Sequence, residues 1–402
     1  MRVRSLLVVG VDASQIAVSA KKAGYKVYAA DHFGDQDLKA ACKESLSAVR
    51  QRRGSSCGHF AADYIPSTIL KMVKTILGRH AIDGAILASG LEDAADTLKE
   101  INDLVPIIGN TPEAIGKVRK KTAFFKELKR LNLPHPESRV AHSLDEAKTI
   151  AQDIGYPIVY KPLTGFGGTG IGKADSPKEL QDLLRNAAKR RKSILIQEYV
   201  EGTPASASLI SIKNSVMTLT INEQLLGLQR AMKAHSFGYH GNIVPLSASE
   251  DIVRRCREVS EKVVQSFHLI GSNGVDFVIT KEGIPKIVEV NPRLQGTLEC
   301  VERVIGLNVV EAHVLACTER SLPKPSGVVR KFATRLILYA PNRCIVPDLR
   351  TFEETRDIPL PGVIVEKGEP MCSIITEAPT RDTSLRKARD IIGSILSLLI
   401  TT

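Results

Sequence analysis

The residues best suited to chemistry lie between positions 274 and 296, where the chain reads GVDFVITKEGIPKIVEVNPRLQG. Residues 275–280 and 285–291 are mostly apolar or β-branched and flank a KEG turn, which predicts a β-hairpin. A turn closed between positions 280 and 285 places Asp276 directly opposite Glu289, with their side chains about 4.5 to 5.5 Å apart on one face. Asn291 falls on the same face as Glu289, because side chains alternate along a strand.

Opposed carboxylates destabilise a sheet unless positive charge lies between them. A hard cation such as Mg²⁺ supplies that charge, since it binds carboxylate and carbonyl oxygens. Arg293 follows two residues after Asn291 and offers a rigid fork of donors suited to phosphate. The pattern therefore predicts a site for a metal ion and a phosphate group. The alternative is a surface hairpin with solvated charges, and it is disfavoured by four apolar residues that would bury the opposite face: Val275, Phe277, Val288 and Val290.

A second phosphate-binding signal is the sequence LTGFGGTGIG at residues 163–172, which holds five glycines. Such a loop lets the backbone approach a ligand and present N–H groups to phosphate oxygens. A plain flexible hairpin would look similar, so the loop alone is a weak signal. Lys161, near the end of the preceding predicted strand, strengthens it, because protein kinases combine a Gly-rich loop with a strand lysine in a comparable way.

Basic residues cluster in two further places. Thr111 and Pro112 predict a helix start, with Thr as N-cap and Pro at the first helical position. The helical region that follows, to about residue 132, carries seven basic residues, which we interpret mainly as a solvated face: Lys117, Arg119, Lys120, Lys121, Lys126, Lys129 and Arg130. One lysine among them could face a phosphate, and helical period alone does not identify it. The run KRRK at residues 189–192 is interpreted as a favourable helix C-terminus.

The elements that position these residues follow an α/β pattern. Residues 4–110 alternate strands and helices, which predicts a parallel sheet with a Rossmann-like architecture but without the GxGxxG of dinucleotide-binding folds. The turn SGLED at residues 89–93 follows a strand, where open α/β sheets bind ligands. Glu92 in that turn is interpreted as an early-helix residue stabilised by the helix dipole rather than as a ligand contact. From about residue 326 the chain is rich in strands.

The composition limits the classes of protein to which the chain can belong. The chain has 402 residues, 43% of them hydrophobic and 25% charged, as in ordinary globular proteins of two to four domains. The seven scattered cysteines include no CxxC, which argues against a disulfide framework and a zinc site. No apolar stretch is long enough to cross a membrane, and a cytoplasmic location is predicted. The net charge of +11 fits a nucleic-acid partner or a site for polyanionic nucleotides equally well.

Taken in chain order, these motifs resemble the ATP-grasp superfamily over essentially the whole chain. The segment KKTAFFKELKRLNLPHP is similar to biotin carboxylases and their relatives, in which a lysine stands about thirteen residues before the proline. That spacing selects Lys121. The opening AVSAKKAGYKVYAADHFGDQDL resembles predicted ATP-dependent carboligases related to biotin carboxylase, found mainly in archaea. The resemblance implies a Rossmann-like domain at 1–112, an ATP-grasp domain at 113–325 divided at residue 200 into a lid part and a metal and phosphate part, and a small β-rich domain at 326–402.

The resemblance also implies a role for each matching residue. Lys121 and Lys161 would hold the α- and β-phosphates of ATP, and Glu198 and Val200 would contact adenine. Asp276, Glu289 and Asn291 would bind Mg²⁺ or Mn²⁺. Arg293, with Asn291, would act on the transferred phosphoryl group. The loop that closes over the phosphates would comprise Gly165, Gly167, Gly168, Thr169 and Gly170.

The implied activity is an ATP-dependent carboxylate–amine or carboxylate–thiol ligase that forms an acylphosphate and releases ADP and phosphate. The implied partners are small-molecule substrates, with no nucleic acid and no membrane, and the assembly to test is a homodimer. Two departures matter: Pro204 and Ala205 stand where many relatives bind ribose through a glutamate, and Asn242 lies close to where biotin carboxylases carry a lysine. The second departure weighs against a bicarbonate-dependent carboxylase. The sequence is also compatible with a non-catalytic ATP-binding protein and with a basic nucleic-acid-binding protein.

Overall fold

The structure is a computed structural model that describes residues 3–57, 65–165, 168, 170–187, 193–227, 237–324 and 331–401. In these residues the strands form four sheets with helices packed against them. None of the described helices combines the length and the apolar character needed to cross a membrane.

The first sheet is parallel, with strand order β3-β2-β1-β4. Its strands are short, and all but the edge strand β3 are runs of mostly buried residues, as expected for a sheet covered by helices on both faces. The chain moves outward from β1 to β3 and then returns to β4 on the other side, so the switch point lies between β1 and β4. The elements are β1 (Ser5–Val9), α1 (Ser14–Lys22), β2 (Lys26–Asp31), α2 (Gln36–Ala41), β3 (Glu44–Ser47), α3 (Pro66–Leu77), β4 (Gly84–Leu87) and α4 (Ala95–Leu104).

Two helices follow where the sequence predicted one helical region. They are α5 (Pro112–Arg119) and α6 (Lys121–Arg130). The predicted start is confirmed, because the Thr111 side chain accepts a hydrogen bond from the backbone of Ala114. The helix breaks at Lys120, whose ψ is 88°. Side chains two residues apart in a continuous helix point about 200° away from each other, so the break changes the relative direction of Arg119 and Lys121.

The second sheet is antiparallel, with order β5-β8-β6-β7. Two serine side chains cap helices in this part: Ser143 accepts from the amide of Glu146 at 3.1 Å, and Ser176 accepts from the amide of Glu179 at 3.3 Å. The Gly-rich loop connects β6 to β7. The elements are β5 (Ser138–Ala141), α7 (Leu144–Ile154), β6 (Ile158–Pro162), β7 (Gly172–Ala174), α8 (Pro177–Ala187) and β8 (Ile194–Glu198).

The third sheet has eight antiparallel strands in the order β13-β12-β9-β10-β11-β14-β18-β16. The predicted hairpin, β12 and β13, lies at one edge, and strands from the C-terminal part complete the other half. The elements up to the last of the helices that follow the hairpin are β9 (Thr203–Ile212), β10 (Ser215–Leu226), β11 (Tyr239–Val244), α9 (Glu250–Ser266), β12 (Gly271–Ile279), β13 (Pro285–Asn291), α10 (Leu298–Ile305) and α11 (Val309–Thr318).

The C-terminal part adds its strands to that same sheet through hydrogen bonds between β11 and β14. A fourth, three-stranded sheet has the order β17-β15-β19. The elements are β14 (Phe332–Tyr339), β15 (Cys344–Ile345), a 3₁₀ turn (Leu349–Thr351), β16 (Thr355–Arg356), β17 (Ile364–Val365), β18 (Pro370–Ala378), α12 (Arg381–Ser397) and β19 (Ile400–Thr401). The α/β fold class is as predicted, and the predicted domain boundaries stay predictions.

Candidate active site

The hairpin pairs Asp276 with Glu289, as the sequence predicted. The strand register that produces this pairing differs from the predicted one. The strands close one residue earlier than counted, at Ile279 and Pro285, and a β-bulge beside Asp276 restores the register. The bulge adds one residue, Val288, to β13. Val288 is therefore half-buried rather than in the core, and the prediction for its side chain was wrong: Ile287 fills the core opposite Phe277.

The two carboxylates have different partners. Asp276 accepts from the side-chain amides of Gln224 and Asn291, each at 2.9 Å. Glu289 Oε1 accepts from Arg119 Nη1 at 2.6 Å and from Lys121 Nζ at 2.9 Å. Burial and the charge of Glu289 raise the pKa of Asp276 to about 7. Burial opposes ionisation of Glu289 as well, but Lys121 and Arg119 outweigh it and lower the pKa of Glu289 to about 2.

The donor set fits a hard divalent cation. Within the described part of the chain, no three His, Cys, Asp or Glu side chains lie together as a possible metal cluster. A site here would therefore consist of two carboxylates, Asp276 and Glu289, with the amide of Asn291. Mg²⁺ and Mn²⁺ accept such oxygen ligands. The raised pKa of Asp276 indicates that the pair has too little positive charge around it for both carboxylates to be ionised.

The two lysines selected from the sequence lie around the same carboxylates. Lys121 contacts Glu289 directly. Burial lowers the pKa of Lys161 to about 8, and the charges that act on its ammonium group are those of Glu289, Lys121 and Asp276. A buried lysine near this pKa keeps most of its charge at neutral pH and lacks full hydration, which favours binding to an anion such as phosphate.

Arg119 is a site residue that the sequence reasoning missed. It was interpreted as part of a solvated helix face, yet its side chain is only 11% exposed. Besides Glu289, it contacts both oxygens of Asp93 at 2.7 Å. Asp93 in turn accepts from the backbone amide of Gly165, at the start of the Gly-rich loop, at 3.0 Å. Only the helix break at Lys120 brings Arg119 and Lys121 to the same carboxylate, and no sequence signal marked that break.

Arg293 lies at the switch point of the first sheet. It forms an ion pair with Glu92, and both side chains are largely buried, with exposed fractions of 14% and 12%. Glu92 stands in the turn before α4, so its interpretation as an early-helix residue was wrong. It also accepts from the amide of Gly90 at 2.6 Å. Burial opposes the charge of Glu92, but Arg293 outweighs it and lowers the pKa of Glu92.

The residues expected to contact adenine lie at the end of β8. The Glu198 carboxylate accepts from Lys286 Nζ at 2.7 Å and from the amide of Glu137 at 3.0 Å. Val200 follows two residues later and is half-buried. Their nucleotide-binding role stays a prediction.

Only part of the Gly-rich loop is described: Gly165, Gly168 and Gly170 belong to it, whereas Gly167 and Thr169 lie outside the described residues. Gly168 has φ +78°, and a Cβ there would lie 2.4 Å from the carbonyl oxygen of Phe237. The close approach of these two backbones therefore requires glycine. It places the loop against the segment that leads into β11.

A row of polar side chains crosses the eight-stranded sheet away from the hairpin. Gln224, which contacts Asp276, pairs across strands with Asn242, and Asn242 pairs with Arg335. Directly paired residues share a face of the sheet. Asn242 Nδ2 also donates to the Tyr239 hydroxyl at 2.6 Å. The row thus connects the carboxylate pair to Arg335 along one surface.

Arg335, at the end of that row, lies among several aspartate side chains. It is 4% exposed and contacts Asp357 at 2.7 Å and Asp12 at 3.5 Å. Each of these carboxylates has a second, buried oxygen, Oδ1, without a hydrogen-bond partner in the described structure. Three more aspartates stand beside them, around the end of β2 and the start of α2: Asp31, Asp35 and Asp37. We call these five aspartates the acidic crevice.

Negative charge in the acidic crevice exceeds the positive charge of Arg335. Burial, reinforced by neighbouring carboxylates, raises the pKa of Asp12 and of Asp31 to about 7 and that of Asp37 to about 6. The same causes raise the pKa of Asp35. Asp12 and Asp31 stand at the carboxyl ends of β1 and β2, which is the edge of a parallel sheet where ligands bind. The crevice therefore favours a positively charged group.

Comparison with known sequences identifies the central part of the chain. Residues 118–297 match the family model of the ATP-grasp domain. An uncharacterized protein of Methanocaldococcus jannaschii is 27% identical over 372 residues, which are 92% of this chain and 88% of that protein. The carbamoyl phosphate synthase large chain of Thermotoga neapolitana is 29% identical over 276 residues, 68% of this chain. The match covers only 25% of that synthase.

Solved structures share the fold of the whole chain. The biotin carboxylase domain dimer of a Hydrogenobacter thermophilus 2-oxoglutarate carboxylase, in complex with MgADP, ADP and bicarbonate, has a TM-score of 0.76 at 16% identity and covers 100% of this chain and 91% of its own. An L-amino acid ligase of Bacillus licheniformis has a TM-score of 0.74 at 17% identity and covers 100% of both chains. At these identities the likeness concerns the fold alone; together with the domain match at residues 118–297, it confirms the predicted ATP-grasp fold.

Proposed function

Since residues 118–297 belong to the ATP-grasp domain family, we propose that this protein is an ATP-dependent ligase that joins a carboxylate to an amine, or to a thiol, through an acylphosphate. The observation that carries the proposal is the convergence of Lys121 and Arg119 on Glu289, which is paired with Asp276 across the hairpin, with the partly buried Lys161 near enough for its charge to act on both carboxylates. Such an arrangement supports binding of a nucleotide triphosphate with its cation.

The reaction has two steps. A carboxylate oxygen of the first substrate attacks the γ-phosphorus of ATP, the bond to the bridging oxygen breaks, and ADP leaves. The amine nitrogen then attacks the acyl carbon, phosphate leaves, and the nitrogen loses a proton. Mg²⁺ held by Asp276, Glu289 and Asn291 would neutralise charge on the phosphate oxygens. Lys121 and Lys161 would orient the phosphates, and Arg293 would stabilise the transferred phosphoryl group. The protein would contribute mainly positioning and electrostatic stabilisation.

The acidic crevice supports an amine as the second substrate. A protonated amine there would pair with the unpartnered oxygens of Asp12 and Asp357 and would pass one proton to a carboxylate of the crevice before its nitrogen attacks the acyl carbon. Ser14, two residues after Asp12, is 1% exposed, and its hydroxyl has no partner in the described structure. The polar row from Gln224 to Arg335 would then connect the site of activation to the amine.

Trapping the activated acid tests the proposed activity. Purified protein is incubated with ATP, Mg²⁺, hydroxylamine and a pool of cellular carboxylic acids, with and without bicarbonate. We expect an organic hydroxamate that forms together with ADP without bicarbonate, and its mass would identify the acid. Binding of Mg-ATP without ADP release in any pool would contradict catalysis.

The second candidate is an ATP-dependent carboxylase, which the bicarbonate-bound structural relative favours. In this chain Asn242 lies close to where the biotin carboxylases carry a lysine, which weakens that candidate. ADP release that requires bicarbonate and produces no organic hydroxamate would replace the ligase with the carboxylase.

The amine site can be tested separately once the acid is known. Asp12→Asn should lower amide formation with the natural amine at least tenfold, yet leave hydroxamate formation at high hydroxylamine nearly unchanged, because free hydroxylamine does not need the crevice. Asp96→Asn, an exposed aspartate in the first turn of α4, is the matched control. An equal loss of both products in Asp12→Asn would place Asp12 in the activation step instead.

A further inference from the structure

Four groups from distant parts of the chain form one continuous series of hydrogen bonds. Glu289 on β13 contacts Arg119 at the end of α5, at 2.6 Å. Arg119 contacts Asp93, in the turn after β4, through two N–H groups at 2.7 Å each. Asp93 accepts from the amide of Gly165 at 3.0 Å. The series therefore connects a predicted metal ligand to the first residue of the Gly-rich loop, through the edge of the first sheet.

The geometry of Arg119 suits a connecting role. Its guanidinium group binds the Asp93 carboxylate with Nε and Nη2, in the two-pronged arrangement that fixes both partners in orientation. Its remaining nitrogen, Nη1, binds Glu289. A lysine in its place could keep the charge but could not make these three contacts together.

The same contacts determine which oxygen of Glu289 can bind a metal cation. Arg119 and Lys121 both bind Oε1 of Glu289, which directs Oε2 as the oxygen for a metal ion. Groups that hold a metal ligand in orientation without touching the metal typically change metal affinity by about 10- to 100-fold. Asp93 is one residue further from the metal position and reaches it only through Arg119.

We propose that Arg119 and Asp93 are positioning residues that couple the metal-binding orientation of Glu289 to the placement of the Gly-rich loop. Binding of the metal–nucleotide complex at Glu289 and the hydrogen bond of the Gly165 amide to Asp93 then favour each other, because both require the same Arg119–Asp93 arrangement. By thermodynamic linkage the coupling is reciprocal: the factor by which metal binding strengthens the contact of Gly165 with Asp93 is also the factor by which that contact strengthens metal binding. A substitution that breaks the contact therefore weakens metal binding. This inference rests on the proposed nucleotide function.

The test compares Asp93→Ala and Arg119→Lys with two controls, Asp96→Ala and Lys117→Met, whose parent side chains are exposed on the neighbouring helices. The first measurement is hydrogen exchange at the Gly165 amide in the ligand-free protein. We expect faster exchange in Asp93→Ala and Arg119→Lys and no change in the controls. Arg119→Lys keeps the charge and serves as the second variant if Asp93→Ala fails to fold.

The second measurement is the Mg²⁺ concentration that gives half-maximal ATP binding, determined by calorimetry without any second substrate. We expect an increase of roughly 10-fold or more in both variants, including Asp93→Ala, which leaves every predicted metal ligand in place. Wild-type Mg²⁺ dependence in Asp93→Ala, or unchanged exchange at Gly165, would overturn the coupling while the ligase proposal stands. A wild-type protein that binds no Mg-ATP would overturn both.

Discussion

At the scale of single residues, the candidate site centres on Glu289. Two cations bind one of its oxygens, and its opposed neighbour Asp276 has a pKa raised to about 7 by burial and by Glu289 itself. The site is thus arranged around the Glu289 carboxylate, which Lys121 and Arg119 keep ionised. Removing that charge while keeping the shape should affect function far more than folding.

We therefore expect Glu289→Gln to lower ATP-dependent ADP release by roughly 100-fold or more, the scale seen when one preorganised electrostatic contact is lost. Lys121 and Arg119 would lose their counter-charge, and a metal ion would lose one of two carboxylates. The measurement is steady-state ADP release with a melting curve of each protein. Glu282→Gln, an exposed acid in the turn of the same hairpin, should behave as wild type. Near-normal turnover in Glu289→Gln would contradict the metal assignment.

Residue types and spacing were sufficient to predict part of this site. Residue types and spacing selected Asp276, Glu289, Asn291 and Lys161, and the resemblance to the ATP-grasp superfamily selected Lys121; the structure brings Lys121 and the three hairpin residues together. The functional roles of these residues remain predictions.

Arg119 and Glu92 could not be placed from the sequence, because each reaches the site through irregular backbone. A break in a helix turns Arg119 toward Glu289, and a turn at a strand end presents Glu92 to Arg293. Neither feature has a periodic signal.

At the scale of elements, the bulge at Val288 shows why a correct result followed from incorrect counting. The hairpin closes one residue earlier than predicted, which alone would set Asp276 opposite Val288. The extra residue moves Glu289 into that position. Turn geometry and bulges are local backbone choices that a hydrophobic pattern does not specify, whereas the need to bury Phe277 and Ile287 is visible in the pattern.

The packing of α11 against β12 depends on one buried histidine. His313 Nδ1 accepts from the amide of Ser272 at 2.7 Å, and its Nε2–H donates to the carbonyl of Ile108 at 2.8 Å. Burial lowers the pKa of His313 to about 4. A proton on Nδ1 would face the Ser272 N–H group, so the neutral ring is the form that fits.

Acid should therefore destabilise the protein through His313. The unfolded histidine takes up a proton near pH 6.5, and the native one does not until about pH 4. The free energy of unfolding consequently falls as pH drops between these values, by roughly 3 kcal/mol in total.

Denaturant midpoints of wild type and His313→Gln between pH 7 and 4.5 test this expectation. The acidic crevice acts in the opposite direction, because its raised pKa values favour the native state on acidification, but it does so in both proteins. The stability difference between the two proteins should narrow as pH falls. A constant difference would contradict the role of His313.

At the scale of the whole molecule, Arg335 ties separate parts of the fold together. From β14 it contacts Asp12 after β1, the carbonyl of Gly296 before α10, and Asp357 near β16. Arg335→Met would leave two partly buried carboxylates without their cation, a loss of up to roughly 3–5 kcal/mol.

We expect the melting temperature of Arg335→Met to fall by roughly 4–6 °C. Arg343→Met, which removes a half-exposed ion pair with Glu366 at 3.3 Å, should change stability by about 1 kcal/mol or less. If the loss of stability in Arg335→Met comes from carboxylates left without a cation, the added substitution Asp357→Asn should recover part of that stability. Equal melting temperatures of Arg335→Met and wild type would refute this role.

The eight-stranded sheet has a consequence for dividing the chain. The sequence suggested a small β-rich C-terminal domain from residue 326, and β14, its first described strand, is hydrogen-bonded to β11. A fragment that ends at residue 324 would convert β11 from an interior strand into an open edge, with unpaired N–H and C=O groups next to apolar Ile243 and Val244. Exposed edges of this kind recruit further strands. We expect the fragment to self-associate in light scattering and to remain monodisperse only when residues 331–401 are supplied in trans; a well-behaved monomeric fragment would show that the sheet is divisible at this point.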